Sequence, residues 1–211
     1  MTDDSLLILE DVAMILFWLG IFIVGYTYIG YGIVIWILSK FKKQEAFNDN
    51  ENELPKVTLL IAAYNEEDFI RQKIENTMAL DYPAGKLSVF FVTDGSSDRT
   101  PDIVAEFHGI RHFHEPARKG KIHAVNRVMR FVKTPVVVFC DANTFLNRDA
   151  IKNIVRHYAD PRVGGVAGEK RIFRNASDNA SGAGEGLYWK YESFLKKKDS
   201  EVYSVVGAAG E

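Results

Sequence analysis

The hydrophobic positions of the chain form one long apolar run near its start and a series of short apolar runs after it. Residues 12–39 contain no charged side chain, and a helix of these 28 residues would extend about 42 Å at a rise of about 1.5 Å per residue. The hydrocarbon core of a bilayer is only about 30 Å thick, and the apolar part of a cleaved signal peptide has only about 7–15 residues. The pattern therefore predicts a transmembrane helix over 12–39, preceded by a tail over 1–11.

The charges that flank this apolar run differ in sign. Lys40, Lys42 and Lys43 follow it, whereas the residues before it include four acids and no lysine or arginine. Basic residues beside a membrane helix are retained on the cytosolic side. We therefore expect a single pass through the inner or plasma membrane of the cell, with the part of the chain after residue 40 in the cytosol.

Short apolar runs and amphipathic stretches alternate through the rest of the chain. Residues 40–55 are polar and acidic, which predicts a linker, and the domain after them extends over 56–211. Continuous apolar runs predict buried strands over 57–64, 87–93, 110–114, 135–140 and 163–168. Helical spacing and capping residues predict helices over 66–80, 100–107, 121–131 and 149–158, the second of them with Thr100 as its N-cap. This order predicts an α/β fold, with a mostly parallel sheet and helices on both of its faces.

Composition and motifs exclude several classes of protein. The chain has 26 basic and 28 acidic residues, which argues against a nucleic-acid-binding protein, since such proteins carry a basic excess. Its single cysteine excludes an internal disulfide framework. The Gly-x-Gly-x-x-Gly loop of dinucleotide enzymes does not follow the first predicted strand, and no Gly-x-x-x-x-Gly-Lys-Ser/Thr loop occurs.

Polar and acidic residues follow the ends of three predicted strands. Asn65 and Glu66 follow the first strand, Asp94 the second, and Asp141 and Asn143 the fourth. Ligands of α/β sheets bind beyond the carboxyl ends of the strands, so we expect these residues at one ligand edge. Carboxylate and amide oxygens suit Mg²⁺ and Mn²⁺, which makes Asp141 and Asn143 candidate metal ligands.

Some of the residues in these loops have alternative explanations. Asn65, Ser97 and Asp98 are residue types that cap helices, and for each of them capping explains the sequence as well as ligand binding does. His112 and His114 alternate on the third predicted strand, where a two-histidine metal site and a structural role both remain open.

A basic turn, Arg118-Lys119-Gly120-Lys121, opens one of the predicted helices. The free backbone N–H groups and the dipole at a helix N-terminus favour a bound anion. The alternative is a solvated basic turn on the surface. Together with the candidate metal ligands and the acids at the strand ends, this turn suggests a site for a nucleoside diphosphate.

Four segments, taken together, resemble the family 2 glycosyltransferases of the GT-A fold. The segments are VTLLIAAYNEE, VFFVTDGSSDRT, RKGKIHAVNRV and VVVFCDANT, and the resemblance covers about residues 55–210. It implies a nucleotide-sugar donor, usually a UDP-sugar, and Mg²⁺ or Mn²⁺ as cofactor. It assigns Asp141 and Asn143 to the metal. The resemblance assigns nucleotide-sugar binding to Ala63, Tyr64, Asn65, Glu66, Asp94, Lys121 and Asp141.

The sequence departs from the family pattern in two places. Asn143 replaces the second acid of the Asp-x-Asp motif, and its amide oxygen still serves as a ligand, with less negative charge. The acidic segment that carries the family's catalytic base, and the Gln-x-x-Arg-Trp segment of processive members, are absent. We therefore expect an N-terminal fragment whose domain is incomplete at its C-terminal end, with the base beyond Glu211.

An apolar helix ahead of such a domain resembles the membrane-bound processive synthases of hyaluronan, chitin and poly-N-acetylglucosamine. The resemblance implies an inverting enzyme that moves a sugar from a nucleotide-sugar to a glycan acceptor at the cytosolic membrane face, as in polysaccharide synthesis. Two alternatives remain open. The acceptor could be a lipid phosphate, or the chain could be a membrane-tethered module that binds nucleotide-sugars without catalysis.

Overall fold

The structure, a computed structural model, describes residues 3–42, 54–169 and 181–203. It divides into two compact units. One comprises Met1–Glu45 and Glu169–Ala208, and the other comprises Ala46–Gly168 and Ala209–Glu211.

The first unit begins with a continuous helical segment. Helix α1 (Asp3–Gly25) passes through one wide π-helical turn (Tyr26–Gly30) into helix α2 (Tyr31–Phe41). Its stretch Glu10–Phe41, named the apolar helix from here on, contains an 18-residue window with a mean hydropathy of 2.1 and is long and apolar enough to cross a membrane. The predicted N-terminal helix is therefore present, and the residues of most of the predicted linker lie outside the described ranges.

The second unit is built on a sheet of four parallel strands. They are β1 (Val57–Ala63), β2 (Leu87–Asp94), β3 (Arg111–Glu115) and β4 (Val136–Asp141), in the order β3-β2-β1-β4. In the register, Ala62 lies opposite Asp141 and Ala63 opposite Thr93. The carboxyl ends of β1, β2 and β4 therefore coincide at one edge, which is the arrangement that the sequence predicts.

Helices cover both faces of this sheet. They are α3 (Ile70–Met78), α4 (Thr100–Ala105), α5 (Lys121–Met129) and α6 (Ala150–Val155), which continues as a 3₁₀ turn (Arg156–Ala159). On one face Ile61 and Phe91 pack in a core that includes residues of α3, α4 and α6. On the other face Leu60 and Val92 pack against Ala124 and Val128 of α5. Each large apolar side chain buried here contributes about 1.5–3 kcal/mol, so alternate residues of the strands hold the two helical layers.

Three of the predicted elements need correction. Helix α3 begins at Ile70 rather than at 66, and residues 67–69 form a turn that leads into it, with the N–H of Ile70 bonded to the carbonyl of Glu66 at 2.8 Å. Thr100 lies inside α4 and is not its N-cap. No strand forms over 163–168, which is described without ladder pairing. Three of those six residues are glycine, and glycine weakens strands because it loses the most conformational entropy.

The first unit also contains helix α7 (Ser181–Val202), which packs against α2. The buried residues of α2 are Gly32, Ile35 and Ser39, which recur three and four positions apart and so share one face of the helix. Gly32 lies directly against Tyr191 and Leu195 of α7.

Candidate functional site

The loops that follow β1 and β2 are bonded to each other. The amide oxygen of Asn65 accepts the backbone N–H of Ser97 at 2.9 Å, and the backbone N–H of Asn65 donates to Oγ of Ser96 at 3.2 Å. Asn65 has a positive φ of 52°, a conformation that asparagine tolerates better than most residues. The side chain that was a candidate nucleoside ligand therefore also joins the two loops.

Further bonds continue this connection toward α3 and α4. The backbone N–H of Glu66 donates to Oγ1 of Thr100 at 2.8 Å, and that of Glu67 donates to Oδ2 of Asp98 at 3.0 Å. Oδ1 of Asp98 accepts the N–H of Thr100 at 3.0 Å, and a carboxylate oxygen of Glu67 accepts the N–H of Arg99 at 3.0 Å. Asp98 therefore has structural partners in both loops, although the N-cap of α4 is Arg99. We name residues 64–69 and 95–100, joined in this way, the latch.

Asp94 ends β2 and is nearly fully buried, with 5% of its surface exposed. Its Oδ2 accepts the backbone N–H groups of Lys119 at 2.8 Å and of Gly120 at 2.7 Å, so it anchors the basic turn. Its Oδ1 is buried and has no hydrogen-bond partner in the part of the chain that the structure describes. An orphaned buried oxygen costs about 1–3 kcal/mol, which marks this atom as a candidate ligand contact.

The neighbouring glycine makes this anchoring possible. Gly95 has a φ of +68°, and a Cβ at this position would lie 2.5 Å from the backbone nitrogen of Arg118. Its own N–H donates to the carbonyl of Glu115 at 2.8 Å. The backbone of the basic turn can approach the end of β2 this closely because residue 95 lacks a side chain.

Two other predicted residues lie where β1 ends. Ala63 is buried as the last residue of the strand, and Tyr64 follows it with its ring partly exposed. The guanidinium of Arg118 stacks on that ring, with its carbon 3.9 Å from the ring centroid. This cation–π contact brings the basic turn and the first loop together.

The last residue of β4 and the loop after it, residues 141–149 and named the β4 loop from here on, carry the two candidate metal ligands. Nζ of Lys121 lies 2.5 Å from Oδ1 of Asp141, so the carboxylate already binds a cation. Asn143 is exposed, and its polar contact among the described residues is with Oγ1 of Thr144 at 3.5 Å. Asp141 and Lys121 are therefore brought together, whereas Asn143 is not tied to the other predicted residues.

The oxygens of Asp141 and Asn143 fit a metal ion that binds together with the phosphates of a substrate. No group of three or more His, Cys, Asp or Glu side chains that could hold a metal occurs among the described residues. Mg²⁺ is commonly held by one or two protein oxygens together with water and substrate phosphates. Asp141, which binds the ammonium of Lys121 here, and the amide oxygen of Asn143 can supply such a pair.

The acids of this edge influence one another. Burial raises the pKa of the Glu66 carboxyl above its ordinary value, and the negative charges of Asp141 and Asp98 raise it further. A site in which carboxylates repel each other favours a cation.

Sequence analysis did not identify Lys73, whose side chain contacts residues of β4 and of the β4 loop. It is fully buried in α3, and its Nζ donates to Sγ of Cys140 at 3.1 Å and to the carbonyl of Thr144. These two residues flank Asp141 and Asn143. The available signal was the position of Lys73 on the same helix face as Ile70 and Ile74, where a lysine is unusual.

The two histidines of β3 have a structural partner. The buried hydroxyl of Thr93 lies 2.8 Å from Nε2 of His112 and 2.9 Å from Nδ1 of His114. Burial lowers the pKa of His112, and the neighbouring His114 lowers it further. Nε2 of His112 and Nδ1 of His114 are therefore engaged by this hydroxyl.

Comparison with known proteins agrees with this geometry. The sequence pattern of the family described as "Glycosyl transferase family 2" matches residues 58–209. The chain is 33% identical over 132 residues to the poly-beta-1,6-N-acetyl-D-glucosamine synthase of Staphylococcus aureus (strain MSSA476), a match that covers 61% of this chain and 31% of that protein. It is 30% identical over 172 residues to the beta-monoglucosyldiacylglycerol synthase of Trichormus variabilis, covering 77% of this chain and 36% of that protein.

A solved structure shows the same fold. The mannosyltransferase PcManGT from Pyrobaculum calidifontis, in complex with GDP-Man and Mn²⁺, matches with a TM-score of 0.62 and 34% identity. The match covers 69% of this chain and 45% of that chain. The predicted GT-A fold is confirmed. The chain spans about a third of the length of the two relatives, and by the family match over 58–209 it belongs to glycosyl transferase family 2.

Proposed function

We propose that this chain forms the donor-binding part of an inverting glycosyltransferase, which moves a sugar from a UDP-sugar to a glycan acceptor at the cytosolic face of a membrane. The proposal assigns the nucleoside to the latch and Asp94, and the diphosphate to the basic turn and the β4 loop.

The unpartnered Oδ1 of Asp94 is the observation that carries the proposal. Its companion oxygen is satisfied by two backbone N–H groups, so the orphaned atom is not a consequence of a loosely placed side chain. The imide N–H of uracil is a neutral donor that would satisfy it. The neighbouring Tyr64 is 38% exposed beside the Arg118 guanidinium, and its ring can stack on a base, since base–aromatic stacking contributes about 1–3 kcal/mol.

Lys121, Asp141 and Asn143 are proposed to hold the diphosphate and its metal. The ammonium of Lys121 pairs with Asp141 at an exposed position, where an ion pair contributes only about 0–1 kcal/mol. Lys121 can therefore turn to a phosphate oxygen at little cost, which leaves the carboxylate for Mg²⁺ or Mn²⁺. When bound, such a metal supplies Lewis-acid stabilisation of the leaving diphosphate. The Mn²⁺ and GDP-Man in the related mannosyltransferase structure support this assignment.

The apolar helix supports a membrane location. It is long and apolar enough to cross a bilayer, and Lys40 and Lys42 at its C-terminal end favour a cytosolic position for the chain that follows. A glycan acceptor is supported by the relation to a poly-beta-1,6-N-acetyl-D-glucosamine synthase.

A lipid acceptor is the second candidate. It is favoured by the relation to a beta-monoglucosyldiacylglycerol synthase, which matches 172 residues against 132 for the polysaccharide synthase. The donor site would be the same in both cases, and only the acceptor would differ.

Calorimetric titration of the full chain in detergent tests the donor site. UDP, GDP and UMP are each titrated with Mn²⁺ and with EDTA. We expect UDP to bind, Mn²⁺ to strengthen that binding, and UMP to show no comparable metal dependence because it lacks the β-phosphate. Tighter binding of GDP would correct the donor, and failure of the folded chain to bind any of the three would overturn the proposal.

The acceptor is tested by transfer from radiolabelled UDP-N-acetylglucosamine. Label recovered in a glycan oligomer supports the first candidate, and label recovered in diacylglycerol supports the second. In a protein that also carries the family's acidic base segment, donor binding without transfer to either acceptor would support a non-catalytic binding module.

A further inference from the structure

We infer that only the part of the apolar helix up to about Gly30 crosses the hydrocarbon of the bilayer, whereas Tyr31–Phe41 lies at the level of the cytosolic headgroups, where α7 covers it. This inference rests on the membrane location proposed above. It places the boundary between hydrocarbon and headgroups inside the apolar helix, at a point that the amino-acid composition of the helix does not indicate.

Specific contacts join α7 to the second half of the apolar helix. The hydroxyl of Tyr191 donates to the carbonyl of Tyr28 at 2.6 Å, within the π-helical turn. The hydroxyl of Tyr31 donates to Oδ1 of Asp199 at 2.5 Å. A Cβ at Gly32 would lie 2.8 Å from the Tyr191 hydroxyl, so the helices can approach this closely because residue 32 is glycine.

The charges of α7 exclude this helix from hydrocarbon. Its sequence carries four acids and four lysines in 22 residues, and one charged side chain at the centre of a bilayer costs about 2.5–3.5 kcal/mol even on the lower scales. Two ion pairs, Lys196 with Glu192 at 2.7 Å and Lys198 with Glu201 at 2.6 Å, reduce this cost only in part. The stretch of the apolar helix that α7 covers must therefore lie at a level that water reaches.

The remaining length fits the bilayer. Residues 12–30 would extend about 28 Å at 1.5 Å per residue, close to the roughly 30 Å of the hydrocarbon core. The boundary then falls among Tyr26, Tyr28 and Tyr31. Tyrosine and tryptophan are enriched at membrane interfaces because their rings are amphipathic, so these tyrosines become the aromatic belt of the cytosolic side.

Depth measurements with nitroxide labels test this boundary in the full chain, reconstituted into phosphatidylcholine vesicles. Single cysteines replace Ile15, Ile21, Val24 or Val34, all of them exposed on the helix, in a Cys140→Ala background. Relaxation by oxygen reports hydrocarbon, and relaxation by a water-soluble nickel chelate reports water.

The two possible spans predict different depth profiles. For a span of 12–30 the label at Ile21 is the deepest, and the label at Val34 lies about 20 Å from the midplane, where nickel reaches it. For a span of 12–39 the label at Val24 is the deepest, and the label at Val34 remains in the hydrocarbon. That second profile would overturn the inference and leave the membrane location intact. If nickel reached all four labels, the membrane location itself would be wrong.

A matched pair of variants tests the role of α7. In Gly32→Leu the new side chain collides with Tyr191, so α7 should detach and the uncovered apolar stretch should sink into lipid, which lowers the nickel accessibility of the label at Val34. Gly25→Leu adds the same side chain on the same helix, where nothing lies within 4 Å of the Cβ, and should leave that label unchanged. Equal accessibility in both variants would show that α7 does not hold this stretch at the interface.

Discussion

The two halves of the ligand edge differ in how firmly they are held. In the latch, backbone N–H groups of Asn65, Glu66 and Glu67 are all bonded to side chains of residues 96–100. In the β4 loop, Asp141 is held by an ion pair whose two side chains are 28% and 51% exposed, and Asn143 contacts only its neighbour among the described residues. The latch is therefore formed before a ligand binds, whereas the β4 loop can rearrange when one binds.

This difference suits the two parts of a nucleotide-sugar. A preformed nucleoside site spends little binding energy on ordering its own groups, and an exposed ion pair is weak enough to be exchanged for metal and phosphate. Disturbing the latch should therefore cost stability, whereas disturbing the β4 loop should cost affinity. The four predictions below test that division.

The largest effect is expected for Gly95→Ala, in the held half. The new Cβ would collide with the backbone of Arg118 at a positive φ, and we expect a loss of about 3–4 kcal/mol in the free energy of unfolding. Gly85→Ala is the matched control, since Gly85 also has a positive φ but nothing lies within 4 Å of its Cβ, and it should cost only about 1–2 kcal/mol. Urea unfolding measures both. Equal losses would show that the close approach to Arg118 contributes nothing.

The next effect is expected for Asp141→Asn, in the half that can rearrange. The variant keeps the shape of the side chain and removes its charge, so we expect UDP affinity in the presence of Mn²⁺ to fall by about 100-fold, or about 2.7 kcal/mol. Binding of UMP and the free energy of unfolding should change little. Titration calorimetry distinguishes these quantities, and an unchanged metal dependence would remove Asp141 from the metal site.

The sequence predicts four of the strands and the sheet edge at which Asn65, Asp94 and Asp141 lie, for a physical reason. Strands buried on both faces leave continuous apolar runs, and the polar residues at 65, 94 and 141 follow those runs directly. The latch could not be predicted, because the bonds that join its two segments connect residues 31–34 positions apart and depend on how β1 and β2 align. The strand expected over 163–168 was wrong, because three glycines leave a short apolar run with little to pack.

Lys73 shows a different limit of sequence reasoning. Its position on an apolar helix face is visible in the sequence, but its partners, Cys140 and the carbonyl of Thr144, come from a strand and loop almost seventy residues away. Among the described residues Lys73 has no carboxylate partner. We therefore expect it to act by holding the carbonyl of Thr144 in place.

Lys73→Met should give a smaller effect, on affinity alone. It removes a buried charge, which costs little stability when the replacement is apolar and of similar size, but it releases the carbonyl of Thr144. We expect Mn²⁺-dependent UDP affinity to fall by about tenfold, or about 1.4 kcal/mol, with little change in unfolding. Titration calorimetry and urea unfolding measure the two quantities.

Asn76→Ala provides the contrast on the same helix. Asn76 bonds both the N–H and the carbonyl of Leu146 farther along the loop, at 2.9 and 2.8 Å. Its loss should reduce stability and leave UDP affinity unchanged. If Lys73→Met behaved like Asn76→Ala, Lys73 would be a structural residue only.

The smallest effect is expected for Glu66→Gln, where the two halves meet. Burial and the charges of Asp141 and Asp98 raise the pKa of Glu66 in the folded state, so its ionised form destabilises the fold. The stability that the protonated group contributes is present below its ordinary pKa and is lost as the pH rises through the raised value. Glu66→Gln should therefore raise the Tm by about 1–3 °C at pH 7 and change it little near pH 4. A gain of the same size at both pH values would show that packing, rather than the repulsion from Asp141 and Asp98, is responsible, and the β4 loop would then not be electrostatically coupled to the latch.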